Sequence, residues 1–408
     1  MQGVRAQEVR REVMAEGLPG PEGDEQSYPD VAVELGSTGL STGVERETTH
    51  EEAIKEPFDP EKIDVTTRTP TVDLLLARLR RGVLDLQPDF QRLAGIWTPQ
   101  AQSRLIESML LRIPLPTFYA AEAAEERWII IDGIQRLTTI ARFVDPETLG
   151  AKPLVLRSLE YLKDYEGKRY TELPGRLRTR LLEAEVVLHL IRQGTPEPVM
   201  FNIFARINTG GRPLTRQELR HALIPGSARR LLKELAESEE YRSATLGSVA
   251  PERMDDREMV LRFIAFRLSD PEDYVRQDFD EFLRDAMHLL NRITSKQVAE
   301  LRAEFARAMD AARKIFGEHA FRKHYSGQHR RSPINKALFE AVAVGLAQRS
   351  DRQLDALLER WEVVAEELSR LLEYAEFERA ISVGTGDVAK VRLRFSYVDR
   401  MLERVANA

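Results

Sequence analysis

The chain contains no cysteine, which excludes disulfides, thiolate metal centres and a cysteine nucleophile. No apolar run approaches the roughly 18 residues that a membrane-crossing helix needs. The N-terminus has no positively charged start followed by an apolar stretch, so a secretory signal is not expected and a cytoplasmic protein without membrane attachment is. An excess of positive charge is missing too. The formal net charge is −6, with 15 acidic and 6 basic residues in the first 62 positions, which leaves 51 acidic and 54 basic residues in the remainder. A strongly basic nucleic-acid binder would look different, although this balance does not forbid nucleic acid. What is present, 42% apolar and 31% charged residues over 408 positions, fits a helix-rich globular chain with room for two domains.

Residues 1–56 are rich in Gly, Pro, Ser, Thr and Glu without a sustained period, and are expected to form a largely disordered acidic tail with a short helix near Val4–Glu16. From there to about residue 225 short strands alternate with helices. A helix is expected at Thr71–Arg81, an alternating strand-like piece at Leu84–Arg92 that closes in a polar cluster, and a helix from Pro99 to about Arg112 with Thr98 as its N-cap. A hairpin should pair Thr117–Ala121 with Arg127–Ile131, and a weaker strand is expected at Lys152–Leu156. Glu185–Arg192, with branched residues throughout, reads as a strand in which His189 is a core or edge histidine. Helices follow at Pro196–Ile207 and Arg216–Leu223, the second opened by a Thr215/Glu218 capping box. Beyond Ser227 the pattern is almost purely helical, with helices expected at 227–237, 256–268, 272–292, 295–316, 332–348, 351–374 and 395–406. The expected fold class is therefore α+β, a small mixed sheet with helices over 57–225 followed by an all-α bundle over 226–408.

The chemistry concentrates at residues 128–145. Trp128 to Ile131 reads as a short buried strand, Asp132-Gly133 as a turn, and Ile134, Leu137, Ile140, Ala141 and Val144 as the apolar stripe of a helix. Asp132, Gln135 and Arg136 thus stand where a strand feeds the first turn of a helix. Unpaired backbone N–H groups there favour an anion, Arg136 brings a donor fork suited to phosphate, and Asp132 could hold a hydrated metal ion. The bland alternative is that Asp132 and Arg136 cap and brace the helix.

Three stretches then line up: Gln87-Pro88-Asp89-Phe90-Gln91-Arg92, Asp132-Gly133-Ile134-Gln135-Arg136-Leu137-Thr138-Thr139, and Phe204 to Arg220 with Asn208-Thr209-Gly210-Gly211 at its centre. Together they resemble the N-terminal domain of GmrSD-type restriction endonucleases, which looks related to the ParB/sulfiredoxin nucleotide-binding fold. The resemblance implies binding of a nucleoside triphosphate with Mg²⁺, hydrolysed in some members, and work in anti-phage defence against foreign or modified DNA alongside other defence proteins. Carried over residue by residue, Asp132, Gln135 and Arg136 become the candidate catalytic set, with Asp132 as the metal ligand. Gly133, Gln91, Arg92, Asn208, Gly210 and Gly211 become nucleotide-binding, with Phe90 beside them. Arg212, Arg216 and Arg220 recur every four residues and form either a solvated face or a track for a nucleic-acid backbone.

Two departures matter. The turn is usually Asp-Gly-Gln-Gln-Arg, and Ile134 here replaces the first Gln. No ββα pattern for the His-Asn-His nuclease of fused members surrounds the only His-rich stretch: His319, His324 and His329 are spaced by five and flanked by Arg322, Lys323, Arg330 and Arg331, a pattern expected to be a solvated basic segment that could touch phosphates, with a degenerate nuclease centre as the alternative. Nuclease activity from this chain alone is not expected. Two functions remain open, a nucleotide-hydrolysing defence component and a non-catalytic DNA- or protein-binding sensor that recruits a separate effector. The stripe Leu354, Leu357, Leu358 and Trp361 belongs either to a core or to a homo-oligomer interface.

Overall fold

The run Trp128–Ile131 fails to alternate because the strand it forms is covered on both faces. The structure, a computed structural model, describes residues 33–35, 41–47, 63–86, 97–207, 214–275, 278–325 and 331–408. Five strands make one mixed sheet: β3 (Val65–Arg68), β4 (Leu84–Asp85), β5 (Phe118–Glu122), β6 (Trp128–Asp132) and β7 (Leu188–Ile191), in the order β3-β7-β5-β6-β4. β5 pairs antiparallel with β6 and parallel with β7, and β4 pairs parallel with β6. One face, with Phe118, Ala120, Trp128, Ile130 and Leu188, packs with Leu75, Ile134 and Leu137 of the flanking helices. The other, with Ala121, Ile129, Ile131 and Ile191, joins a core that runs through the helical half. The α+β class expected from the pattern is the observed one.

Helices around the sheet are α1 (Val72–Arg80), α2 (Pro99–Leu110), α3 (Ile134–Val144), α4 (Gly175–Leu182), α5 (Glu197–Ile207) and α6 (Arg216–Leu223). Their boundaries follow local chemistry: Thr71, Thr98 and Thr215 each accept a first-turn amide, and Glu218 completes a capping box. The helical half contains α7 (Ser227–Ala236), α8 (Glu239–Thr245), α9 (Asp255–Leu268), α10 (Phe279–Leu290), α11 (Ser295–Phe316), α12 (Lys336–Ala347), α13 (Asp351–Glu359), α14 (Trp361–Glu373), α15 (Ala375–Ser382) and α16 (Val388–Asn407). All described residues fall in one compact unit, Ala32–Ala408.

Several expectations are corrected. Lys152–Leu156 is no strand; Leu154 and Leu156 are buried as irregular chain in the core beneath α2 and α3. The helix expected at 272–292 is a 3₁₀ turn, Pro271–Asp273, followed by α10, because Asp278 caps a fresh start by accepting from Asp280 and Glu281. The one expected at 351–374 is two helices broken at Arg360. Helix α12 begins only at Lys336, where Asn335 caps it, and α16 begins earlier than expected, at Val388 under an Asp387 cap.

Part of the stretch expected to be a tail is built into the helical half. A short strand pair, β1 (Val33–Leu35) and β2 (Ser41–Glu45), carries Val44 wholly buried near its end. Glu45 accepts from Lys323 Nζ at 2.8 Å and from Asn335 at 2.9 Å. Glu47 takes both arms of Arg262 at 2.9 and 2.6 Å. Buried cations require partners of this kind, and Arg262, which also bonds Glu258, is buried on α9.

Candidate functional site

Asp132 is the last residue of β6, and the chain must then turn through Gly133 into α3. Gly133 has φ = +94°, and a Cβ built on it would lie 2.4 Å from the Phe118 ring. Both the conformation and the space demand glycine. Helix α3 starts without a side-chain cap. The Asp132 carboxylate, which could have capped it, instead accepts from Arg136 Nη2 at 2.7 Å. Among the described residues no acceptor meets the backbone N–H groups of Ile134, Gln135 and Arg136; the first helical bond is Leu137 N–H to the Gly133 carbonyl, at 2.9 Å. Such a first turn carries a partial positive charge and free donors.

Arg136 does not present a free fork. It is buried, donates to the carbonyls of Pro116 and Thr117 as well as to Asp132, and lies over the Phe118 ring at 4.4 Å. Burial pulls its pKa down, and the Asp132 charge opposes that shift. Arg136 therefore fastens α3 to the entry of β5. Ile134, the departure from the family's turn, is 4% exposed and sits in the core with Phe118 and Leu137.

Gln135 and Thr138 remain. The Gln135 Nε2 and the Thr138 Oγ1 are each shielded from water and have no hydrogen-bond partner. Residues three apart on a helix lie side by side, so two unsatisfied polar groups flank the open first turn. A buried polar atom left without a partner is costly, and Thr138 is the member of this pair that sequence reasoning missed. The remaining oxygen of Asp132 accepts no hydrogen bond, and its side chain is 39% exposed. No cluster of three metal-binding side chains exists among the described residues. One carboxylate of this kind suits Mg²⁺ that arrives with phosphate ligands of its own.

The structure does not bring all the predicted residues together. Phe90, Gln91, Arg92, Asn208, Gly210, Gly211 and Arg212 lie outside the described residues. Of the arginine series, Arg216 is exposed, whereas Arg220 is 1% exposed and held by Gln217, Glu258 and Asp280. Arg220 is thus a core cation rather than part of a solvated or nucleic-acid-facing stripe, because α6 turns that side toward α9 and α10. His189 is partnered, with Nδ1 2.9 Å from Thr67 Oγ1 and its ring against Tyr119. Trp128 is buried beneath Arg78, whose guanidinium carbon lies 3.8 Å from the ring centroid.

Residues 73–225 match the family model described as GmrSD restriction endonuclease, N-terminal domain. No curated protein and no solved structure matches the chain.

Proposed function

We propose that the chain, whose residues 73–225 match the GmrSD restriction endonuclease N-terminal domain model, is a nucleotide-binding component of a DNA-restriction defence system. The triphosphate of a nucleoside triphosphate docks on the open first turn of α3. The observation that carries this reading is the uncapped turn itself, with the Ile134, Gln135 and Arg136 amides unclaimed and the Gln135 side-chain amide beside them without a partner. An anion there satisfies several donors at once and lies at the positive end of the helix.

The same geometry argues for binding without efficient turnover. Phosphoryl transfer depends on a group that positions the attacking water and on neutralised charge at the phosphates. Asp132 is engaged by Arg136, and the position usually held by Gln is the buried Ile134. Asp132 is the residue of this turn that would hold Mg²⁺, which supplies charge neutralisation when bound. Arg136 acts by positioning: it holds the strand end and the helix start in register so that the amides converge. In this account the nucleotide-bound chain signals to a separate effector that acts on DNA.

The test is calorimetric titration with the four ribonucleoside triphosphates, with and without Mg²⁺, together with phosphate release with and without DNA. Gln135→Glu places a carboxylate beside the turn without touching the brace. Saturable binding of a triphosphate, weakened at least tenfold in Gln135→Glu, with phosphate release at the level of the buffer, is the expected result. Absence of binding by every triphosphate would remove the nucleotide reading and leave a DNA- or protein-binding sensor.

A further inference from the structure

Far along the chain from α3, the helical half contains a cavity of about 500 Å³, within the range of small-ligand sites. Its floor is apolar, with Ile315 and Phe316 from the end of α11 and Leu368 and Leu372 from α14. Trp361, 48% exposed, stands at its edge. His319 and His324 also line it, with their rings stacked at a centroid distance of 3.8 Å and an interplanar angle of 22°. The sequence spacing suggested a solvated basic segment; the turn Gly317–His319 and the left-handed Phe321 (φ +62°) instead fold the chain back on itself.

Three nitrogen atoms of residues lining this one cavity are shielded from water and have no hydrogen-bond partner: Nδ1 of His319, Nδ1 of His324 and Nε of Arg322. Arg322 is 3% exposed. Its other nitrogens donate only to uncharged acceptors, the carbonyls of Ser332 and Thr245 at 2.7 and 3.2 Å and the Ser248 hydroxyl at 2.6 Å. Five other buried cations, Arg220, Arg262, Lys323, Lys336 and Arg394, each have a carboxylate partner. Arg322 forms no ion pair among the described residues. Burial and the nearby Arg331 push its pKa down to about 10 against the opposing charge of Glu318, which also lines the cavity without forming an ion pair with Arg322, the behaviour of a cation whose counter-charge is incomplete. Burial also lowers both imidazole pKa values, which favours neutral rings that can stack against a π system.

We propose that this cavity binds a small planar aromatic or heteroaromatic ring carrying one anionic group, the ring against the stacked imidazoles and Trp361 and the anion supplying the counter-charge to Arg322. The three unpartnered nitrogens, the flat π surfaces and the aliphatic floor each call for a different part of such a molecule. A nucleoside monophosphate and an aromatic carboxylate share this chemistry, and the experiment separates them. The site is independent of the α3 turn, so its failure would leave the nucleotide proposal intact.

The experiment titrates the full-length chain by calorimetry with 2-naphthoate, with the uncharged 2-naphthalenemethanol, and with the four nucleoside 5′-monophosphates. Expected is saturation at one molecule per chain for at least one anionic probe, with the alcohol at least tenfold weaker than naphthoate if naphthoate binds. Tighter binding of a monophosphate identifies a nucleotide as the source; binding of naphthoate alone identifies a non-nucleotide aromatic anion. Ala365→Trp, which fills the cavity from α14, should weaken the binding at least tenfold. His324→Phe keeps an aromatic stack but removes the nitrogens, and should weaken anion binding several-fold while leaving the melting temperature near that of the parent chain. Absence of saturable binding by every anionic probe, equal binding of the alcohol and naphthoate, or an affinity unchanged by both variants would overturn the proposal.

Discussion

Arg136 reaches back one turn of α3 to hold Asp132 at 2.7 Å, and in doing so it removes the residue that would otherwise cap the helix. The motif's arginine is thus a fastener, and in the proposed reading an anion meets the backbone amides and Gln135 instead. Arg136→Ala strands the Pro116 and Thr117 carbonyls and frees Asp132 to cap the turn itself. A loss of about 2–3 kcal/mol in denaturant unfolding is expected from the hydrogen bonds to a charged donor, with nucleotide binding lost as a consequence of the misplaced turn. An unchanged midpoint would show that Arg136 is not a brace.

Gly133 tolerates no side chain. The left-handed backbone and a Cβ position 2.4 Å from the Phe118 ring together predict that Gly133→Ala costs roughly 2–3 kcal/mol. Thermal unfolding of the variant checks this, and a shift of less than a degree would contradict it.

Restoring the usual glutamine at position 134 should not restore turnover. Ile134 faces Phe118 and Leu137 in the core, so Ile134→Gln loses apolar burial and buries an amide, a cost of about 2–4 kcal/mol. The prediction is a less stable protein with no gain in phosphate release. A gain in release at undiminished stability would mean that the side chain can leave the core and act.

Glu47 anchors the segment that follows β2 to the helical core. It accepts both arms of Arg262 and the Thr385 hydroxyl at 2.7 Å. Glu47→Ala removes a partner from a buried charge network and should cost about 3 kcal/mol. The Arg262 and Lys336 charges hold the Glu47 pKa below its usual value despite burial. That contribution is therefore complete above the unfolded carboxylate value of about 4.3 and is lost as pH falls below it. Melting of the parent and variant chains should differ at pH 7 and converge in strong acid.

Asp256 behaves oppositely. Burial raises its pKa to about 6, against the lowering effect of the Arg257 amide and charge. A raised carboxylate pKa means the folded state prefers the neutral acid, so stability falls as pH rises from about 4 to 6 and the penalty is complete above 6. Asp256→Asn keeps an oxygen for the Arg257 amide, 2.8 Å away in the parent chain, and removes the penalty. It should stabilise the protein by roughly 1–3 kcal/mol at pH 7.5 and scarcely at all at pH 3. Stabilisation that is the same at both pH values would contradict the sign.

Elements with local chemistry were readable from sequence: the Thr215/Glu218 capping box, the Thr98-Pro99 helix start and the Asp132-Gly133 turn all stand where residue type places them. The edge strand Val65–Arg68 was not, because its side chains are mostly exposed and its place comes from backbone pairing with β7, 120 and more residues away in sequence. The break at Arg360 was hidden because Leu354, Leu357, Val364, Leu368 and Leu372 continue one apolar stripe through it. At the site, the joint of strand and helix was legible, but the division of labour was not. Whether Arg136 is free or spent depends on Pro116 and Thr117, and whether Gln135 has a partner depends on tertiary neighbours. Pattern cannot report either. The same holds for Arg220, whose four-residue spacing with Arg216 suggested a shared face until α6 was seen packed with Asp280 and Glu258 beneath it.

The most direct test of the central claim is hydrogen exchange of the full-length chain, followed over peptides spanning 132–140, with and without each Mg²⁺–nucleoside triphosphate. One triphosphate is expected to slow exchange at the Ile134, Gln135 and Arg136 amides, which meet no acceptor among the described residues, and Gln135→Glu is expected to abolish the slowing. Exchange there that is indifferent to every triphosphate, at concentrations where calorimetry shows one of them bound, would place the nucleotide elsewhere and contradict the account.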